Sequence, residues 1–216
     1  PHHPTLRRQR QMCIRDRGII TGFARINGFP VAIFANDSNF YAGSMSAEGA
    51  QKTSRFIRLC DTFRIPIVSL VDEPGFLIGP DAERAGTILH GTEAVLATTE
   101  SKVPWSTIMI RKSFGVAAAA HYGPDGYVLA WPSAESGPLP LEGGVAVAFK
   151  KEIASAKNPE AKRKELEEKM AKNQSPFPRA EAFSVHEIID PRETRKYIAL
   201  WAERIQSQLK ASLMNR

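Results

Sequence analysis

The segment Gly115-Val116-Ala117 is the clearest candidate for chemistry in this sequence. It follows the apolar run 105–110 and opens a run of alanines, so the pattern predicts a sharp turn from a strand into a helix. The first N–H groups of a helix have no partner within the helix, and small residues let a substrate approach closely. Such a turn is therefore able to hold an oxyanion. The same residues also fit a structural role, in which they only allow close helix packing.

Other chemical signatures are absent from the sequence. It contains no glycine-rich phosphate loop, no His/Asp/Glu cluster at metal-ligand spacing and no nucleophile elbow. His90, His121 and His186 are scattered, and we expect structural roles for them. Cys60 lies on the apolar side of a predicted helix without a histidine nearby, so we expect a buried thiol. The predicted chemistry therefore uses neither a metal nor a conspicuous catalytic side chain.

The elements that position this turn alternate between strands and helices, which predicts a layered α/β domain. The hairpin signal is an Asn-Gly pair, and the helix signals are caps and apolar spacing. We predict a hairpin over 19–26 and 29–36, joined at Asn27-Gly28, and then a helix over 47–63 capped by Ser46. Buried strands over 67–71 and 105–110 flank a helix over 83–101, and a further short strand covers 127–131. A closing helix to Leu213 is capped by Asp190, with Pro191 at its first position.

Three further patterns refine these elements. The stretch 151–173 is highly charged and broken at Asn158-Pro159, which indicates a solvated helical arm. The segment 136–140 contains two prolines, which argue against a central strand. The helix over 83–101 is expected to face the core with its larger apolar residues, namely Ile88, Leu89, Thr92, Val95 and Leu96.

Composition sets the class of protein. The chain has 216 residues, 43% of them hydrophobic and 24% charged, which predicts one globular domain, and no segment resembles a transmembrane helix or a signal peptide. The net charge of +6 is concentrated in residues 1–17, which hold five arginines against Asp16, so nucleic acid is not indicated. We expect a non-native or disordered leader over 1–17 and a cytoplasmic domain over 18–216; a basic arm that binds a partner is the alternative for the leader.

Several motifs, taken in their order and spacing, carry a family resemblance. They are Gly22 to Gly28, Arg55 to Asp61, Val71 to Leu77, His90-Gly91, Arg111 to Gly115, Trp131 to Glu135, Asn173 to Phe177 and Ile188 to Thr194. Together they resemble the C-terminal domain of carboxyltransferase β subunits of biotin-dependent acyl-CoA carboxylases. The resemblance implies a ClpP/crotonase-like spiral of ββα units. It also implies a homo-oligomer whose active sites form between this domain and the N-terminal carboxyltransferase domain of another subunit.

The resemblance further implies an activity and a site. Carboxyl groups would pass between carboxybiotin, carried on a biotin carrier and loaded by a biotin carboxylase, and the α-carbon of an acyl-CoA. The biotin would supply the base, while backbone amides, here those of Val116 and Ala117, would hold the oxyanion. The loop residues Asp72, Pro74, Gly75 and Phe76 and the turn at His90 and Gly91 would line the same cleft, and Ala119 would occupy the position associated with acyl-chain choice.

Departures from the family pattern leave alternatives open. Many members have Gly-Gly-Ala at the turn, whereas Val116 is β-branched and disfavours positive φ. A crotonase-type hydratase or isomerase would instead need Asp72 or Glu73 as its base. An assembly paralogue without activity would have its oxyanion pocket closed by Val116. Carboxylase, transcarboxylase and decarboxylase subunits share the implied architecture, so the direction of transfer also stays open.

Overall fold

The strands form the frame on which the site is built. The computed structural model describes residues 17–206 and residue 209, so residues 1–16 of the predicted leader and the predicted end of the last helix at Leu213 lie outside the described residues. The strands are β1 (Ile19–Ile26), β2 (Phe29–Asn36), β3 (Ile67–Glu73), β4 (Trp105–Phe114), β5 (Tyr127–Ala130), β6 (Glu135–Gly137) and β7 (Glu187–Ile188).

Helices connect most of these strands. They are α1 (Ala47–Phe63), α2 (Pro80–Arg84), α3 (Thr87–Thr99), α4 (Gly115–Ala119), α5 (Leu141–Ala148), α6 (Lys150–Ser155), α7 (Pro159–Gln174), α8 (Pro176–Glu181) and α9 (Thr194–Arg204), with 3₁₀ turns at Tyr41–Gly43 and Pro191–Glu193. Ser46 caps α1 by accepting a hydrogen bond from the Gly49 amide, as predicted. In the part of the chain that the structure describes, no helix is long and apolar enough to cross a membrane.

The sheet follows the order β1-β2-β3-β4-β5-β7, with β6 also paired to β4. Only β1 and β2 are antiparallel, and their turn at Asn27 (φ 50°) and Gly28 (φ 86°) confirms the predicted hairpin. Strand β4 is the longest: its residues 106–109 pair with β5 and its residues 112–114 pair with β6. The carboxyl ends of β3 and β4 therefore lie side by side, at the edge where α/β proteins build their sites.

Both faces of the sheet are covered, which confirms the layered α/β prediction. Phe34 and Ile67 belong to a core shared with α1 and α3. Their neighbours Val31 and Val68 point to the other face and pack with Trp201 of α9. This alternation is the period-two pattern of a strand that is buried on both sides.

The predicted helix over 83–101 is wrong in two respects. Gly86, with φ 73°, separates it into α2 and α3. The buried residues of α3 are its small ones, namely Thr87, Gly91, Ala94, Ala97 and Thr98, whereas Ile88, Leu89 and Leu96 are exposed and only Val95 of the predicted stripe packs against the core. Small residues occupy the inner face because they let α3 pack closely against its neighbours. Hydrophobic spacing alone does not reveal this close packing.

Three boundaries also differ from the predictions. Strand β6 exists despite the nearby prolines, because it ends at Gly137, before Pro138, and pairs only with the last residues of β4. Strands β3 and β4 extend beyond the predicted apolar runs, so Asp72 and Glu73 are strand residues. Asp190 caps a 3₁₀ turn that begins at Pro191, and α9 starts only at Thr194. The charged stretch is helical on both sides of Asn158-Pro159, as predicted.

Candidate functional site

The predicted turn from strand to helix is present at the end of β4. Gly115 has φ 64°, a left-handed conformation that glycine adopts without strain, and it redirects the chain into α4. Val116 is not among the residues with positive φ. The β-branched side chain therefore needs no strained backbone here, because the glycine before it makes the turn.

The amides of this turn lack partners. Within residues 17–206, the N–H groups of Val116 and Ala117 donate no hydrogen bond to another residue, as expected at a helix start. Val116 is 66% exposed, whereas Ala117 is fully buried in the core shared with α1 and α3. Val116 is thus the exposed residue of this pair, and Ala117 lies behind it. Because α4 has only five residues, these individual N–H groups matter more than the dipole of the helix.

A cavity of about 330 Å³ opens directly beside Gly115. It is lined by Met109, Ser113, Gly115, Ala118, Ala119, Tyr122, Ser136, Gly137, Arg179, Ser184 and Val185. Neither Val116 nor Ala117 belongs to this lining, so the Val116 side chain does not close the cavity and the two amides lie beside it, after Gly115. Ala119, predicted at the acyl-chain position, does line it. We refer to this space as the elbow cavity.

Two polar groups of the elbow cavity have unmet hydrogen-bonding capacity. Ser136 Oγ and Arg179 Nε are buried without a hydrogen-bond partner among the described residues. In contrast, Ser113 Oγ and the Tyr122 hydroxyl satisfy each other at 2.7 Å. Sequence reasoning missed Ser136 and Arg179, because neither stands in a recognisable motif. Only the pairing of β6 with β4 and the placement of α8 bring them to the turn.

Asp72, a predicted site residue, is occupied by structural contacts. Its Oδ1 accepts from Arg111 Nε at 3.0 Å and from the Lys112 amide at 3.1 Å, while Oδ2 accepts from Arg111 Nη2 at 2.9 Å. The hydrogen bond from Arg111 to this carboxylate raises the pKa of Arg111. These contacts bridge the irregular pairing between β3 and β4, where Val71 faces Met109 but Glu73 faces Ser113. Asp72 thus holds the end of β4 in place.

Glu73 is a fully buried carboxylate that organises the loop after β3. Its Oε1 accepts from the Met45 amide at 3.2 Å and the Gly75 amide at 3.0 Å, and its Oε2 accepts from Asn36 Nδ2 at 3.0 Å. Met45 also forms a β-bridge with Phe76. A carboxylate engaged in this way and closed off from solvent is a poor general base, so the hydratase or isomerase reading finds no support here.

The predicted His90-Gly91 turn is wrong, because both residues lie inside α3. His90 contacts Gln51 Nε2 at 2.7 Å and Glu93 Oε2 at 3.1 Å. A Cβ atom on Gly91 would lie 2.3 Å from Phe76 Cζ, which shows that the ring packs directly on this glycine. Phe76 and Gly91 are therefore in direct contact.

The loop and α3 residues do not reach the elbow cavity. None of Asp72, Pro74, Gly75, Phe76, His90 and Gly91 belongs to its lining. They form a neighbouring group, since the loop after β3 and the turn after β4 follow adjacent parallel strands. The predicted site residues thus form two groups, one at the turn after β4 and one at the loop after β3 and the adjoining part of α3.

The scattered histidines and the cysteine have structural surroundings. His121 is fully buried, stacks on Phe34 at 4.2 Å and contacts Ser69 Oγ at 2.9 Å. His186 Nδ1 accepts from the Val128 amide at 3.0 Å. Cys60 is fully buried, and burial raises the pKa of its thiol to about 12. The expected structural roles agree with these contacts.

Comparisons with known proteins place this geometry in a family. Residues 16–215 match the family described as carboxyl transferase domain. The chain is 38% identical to the carboxyltransferase subunit of propionyl-CoA carboxylase from Haloferax mediterranei, over 90% of this chain and 39% of that protein. It is 40% identical to the methylmalonyl-CoA carboxyltransferase 12S subunit from Propionibacterium freudenreichii subsp. shermanii, over 84% of this chain and 35% of that protein.

A solved structure agrees with the sequence relatives. The crystal structure of transcarboxylase 12S, a hexamer with methylmalonyl-coenzyme A and methylmalonic acid bound, superposes with a TM-score of 0.83 at 38% identity, covering 88% of this chain and 37% of that one. This chain thus spans a little over a third of the length of these relatives. The neighbours confirm the expected crotonase-like α/β fold. The chain belongs to the carboxyl transferase domain family.

Proposed function

We propose that this chain is the C-terminal half of a biotin-dependent acyl-CoA carboxyltransferase. It would transfer a carboxyl group between carboxybiotin and the α-carbon of an acyl-CoA. The observation that carries the proposal is the turn at Gly115 in a member of this family: Gly115 lines an open cavity, and the amide of the next residue, Val116, donates to no described residue. The direction of transfer and the acyl group are left to experiment.

The residues at the turn fit an oxyanion of the cofactor. Small side chains at Ala118 and Ala119 leave room against the backbone, and the cavity volume of about 330 Å³ lies within the range of small-molecule sites. When bound, carboxybiotin supplies the carboxyl group and the ureido nitrogen that acts as base. The contribution of the chain is a fixed N–H donor at Val116, supported by the amide of Ala117, where negative charge develops.

The neighbouring residues would act by positioning. Asp72 ties the end of β4, and with it the turn, to β3. Phe76 packs on Gly91 and fixes the loop that contains Pro74 and Gly75 against α3. His90 lies one residue from this contact and is held by Gln51 and Glu93. In our proposal, these residues shape the cleft around the reacting groups and take no part in proton transfer.

The partners follow from the reaction. We propose a biotin carboxylase and a biotin carrier that load and deliver the cofactor, an acyl-CoA substrate, and an N-terminal carboxyltransferase domain that completes the site. The hexamer described for the transcarboxylase 12S relative supports a homo-oligomer. We also propose that the assembly works in the cytoplasm.

Replacing Val116 by proline tests the central donor. Proline removes the amide hydrogen and is tolerated in the first turn of a helix, while it also restricts the backbone of the residue before it, here Gly115 with φ 64°. In the complete protein that contains this chain, we expect V116P to lower kcat about 10²- to 10³-fold, the usual effect of losing one oxyanion donor. The measurement is carboxyl transfer from a carboxylated biotin carrier to acyl-CoA, with circular dichroism to verify folding.

Two controls make this test specific. V116A shortens the side chain but keeps the amide, so it should retain activity within a few-fold of the original. Avidin, which sequesters biotin, should abolish the activity of both proteins. Equal activity of V116P and V116A would contradict the role of the amide, and turnover that survives avidin would contradict the proposed function.

A further inference from the structure

We propose that Arg179 and Ser136 form a subsite that binds a carboxylate group of the substrate inside the elbow cavity. The inference rests on the proposed function, because the same cavity adjoins the turn that would hold the reacting groups. It deepens that function by assigning two residues to substrate recognition.

The charge of the elbow cavity is the first step. Among the described residues that line it, Arg179 is the only charged one. The Arg179 guanidinium forms no hydrogen bond or ion pair with any side chain that the structure describes, and its Nε is buried. Burying part of a cation without an anion is costly, so a site of this kind favours an anionic ligand. The elbow cavity is therefore poised to take a negative charge.

The described acidic residues of the adjoining cavity do not neutralise this charge. A second cavity of about 420 Å³ adjoins the first and shares Ser136, Gly137 and Arg179 with it. Its acidic lining residues are Glu152 and Glu165, and both pair with Lys162, at 3.3 Å and 3.0 Å. These carboxylates have their own cation, so the guanidinium of Arg179 stays available to a ligand.

Ser136 supplies the second, independent observation. The residue is 4% exposed, lines the elbow cavity, and its Oγ is buried with no partner among the described residues. Strand pairing fixes its position, because Ser136 stands opposite Ser113 in the ladder between β6 and β4. A buried hydroxyl without a partner is costly, and an oxygen-rich ligand would satisfy it.

The backbone of Arg179 is also held in place. Its carbonyl oxygen accepts from the Ser184 amide at 2.9 Å and from Ser184 Oγ at 3.0 Å, which anchors the end of α8. Tyr122 lies within electrostatic range of Arg179. Burial raises the pKa of the Tyr122 hydroxyl, and the positive charge of Arg179 partly opposes that rise. The backbone that carries the guanidinium is thus held in the wall of the cavity.

The chemistry of these groups favours a carboxylate. A guanidinium presents parallel N–H donors that match the two oxygens of a carboxylate, and one serine hydroxyl adds a third donor. Two sources of this group are compatible with the site. One is the carboxylate on the α-carbon of a carboxylated acyl-CoA, and the other is a carboxylate at the far end of the acyl chain.

Calorimetric binding to the complete protein tests the subsite. The probes are methylmalonyl-CoA, with a carboxylate on the α-carbon, succinyl-CoA, with one at the chain end, uncharged propionyl-CoA, and methylmalonic acid alone. We expect R179M to weaken one carboxylated thioester at least about tenfold while changing propionyl-CoA less than about twofold. The thioester that loses affinity identifies the source. S136A should show a smaller loss for the same ligand, and R58M, at an exposed arginine of α1, should change none.

The outcomes separate this inference from the proposed function. Unchanged binding of both carboxylated thioesters in R179M, or an equal loss for all three thioesters, would overturn the subsite, even if carboxyl transfer is intact. If the original protein binds no CoA thioester but binds methylmalonic acid through Arg179, the subsite stands and the proposed function fails. R179K keeps the positive charge but lacks the parallel N–H donors of a guanidinium. Its affinity for the carboxylated thioester should therefore lie between those of the original protein and R179M.

Discussion

At the scale of single residues, Glu73 has the most demanding environment near the site. It is fully buried and accepts hydrogen bonds from two backbone amides and from Asn36. The carboxylate stabilises the protein because it gives each of these buried donors a hydrogen-bond partner. Without it, each donor would be buried and unpaired. The loop after β3 therefore depends on one buried carboxyl group in the core.

We predict that E73Q destabilises the complete protein by about 1–3 kcal/mol, since the amide group turns one acceptor into a donor that faces other donors. Urea denaturation monitored by circular dichroism measures this change. E168Q is the matched control at an exposed position of α7, where we expect less than about 0.5 kcal/mol. A free energy of unfolding that is the same for both variants would show that the buried carboxylate contributes nothing.

Some residues of the candidate site could be predicted from the sequence, and others could not. The environments of Gly115 and Cys60 follow from local sequence. Gly115 stands between a strand pattern and a helix pattern, and Cys60 stands on the apolar face of a helix. Arg179 and Ser136 were not found, because they lie 64 and 21 residues after Gly115 in the chain and meet the turn only through the tertiary fold. Asp72 was found, but its bond with Arg111 spans two strands and could not be read from spacing.

At the scale of elements, α3 shows why amphipathic patterns mislead. Hydrophobic spacing placed Ile88 and Leu89 inside, yet they are 63% and 66% exposed. The inner face instead carries Gly91, against which the Phe76 ring packs. Closeness of packing, which has no signature in apolar spacing, decided the orientation of this helix. The hairpin and α1 were predicted well because their turn and cap are local signals.

We predict that G91A destabilises the protein by about 1–3 kcal/mol, because the new Cβ would lie 2.3 Å from Phe76 Cζ and must displace the ring. The measurement is thermal or urea unfolding of the complete protein. G143A is the matched control: a Cβ there meets nothing within 4 Å, and the residue lies inside α5, so a gain of about 0.5–1 kcal/mol is expected. Destabilisation of equal size in both variants would rule out the steric explanation.

At the scale of the whole molecule, one layer of helices exposes large apolar side chains. They are Leu59 and Phe63 on α1 and Ile88, Leu89 and Leu96 on α3, each at least 40% exposed. Exposed apolar patches of this kind mark contact surfaces. Since the chain spans a little over a third of its relatives, we expect this layer to face the remaining part of the protein or a second subunit.

We predict that L89D impairs assembly of the complete protein, because it places a charge in a contact that excludes water. Light scattering after size-exclusion chromatography would show a shift toward smaller species at micromolar concentration. L200D is the matched control, since Leu200 is 43% exposed on α9 at the opposite face of the sheet. Loss of assembly in L200D but not in L89D would assign the contact to the other face.

The pairing of β4 with three other strands has a consequence for how substrate choice can change. Its ladders run along nearly the whole strand, so the Val116 donor is anchored at the end of the most heavily supported strand of the sheet. The wall that carries Arg179, by contrast, is a helix of six residues joined through a short loop. Under the proposed function, substitutions in that wall would alter which acyl group is accepted without moving the Val116 amide, so selectivity and rate would evolve on separate parts of the chain.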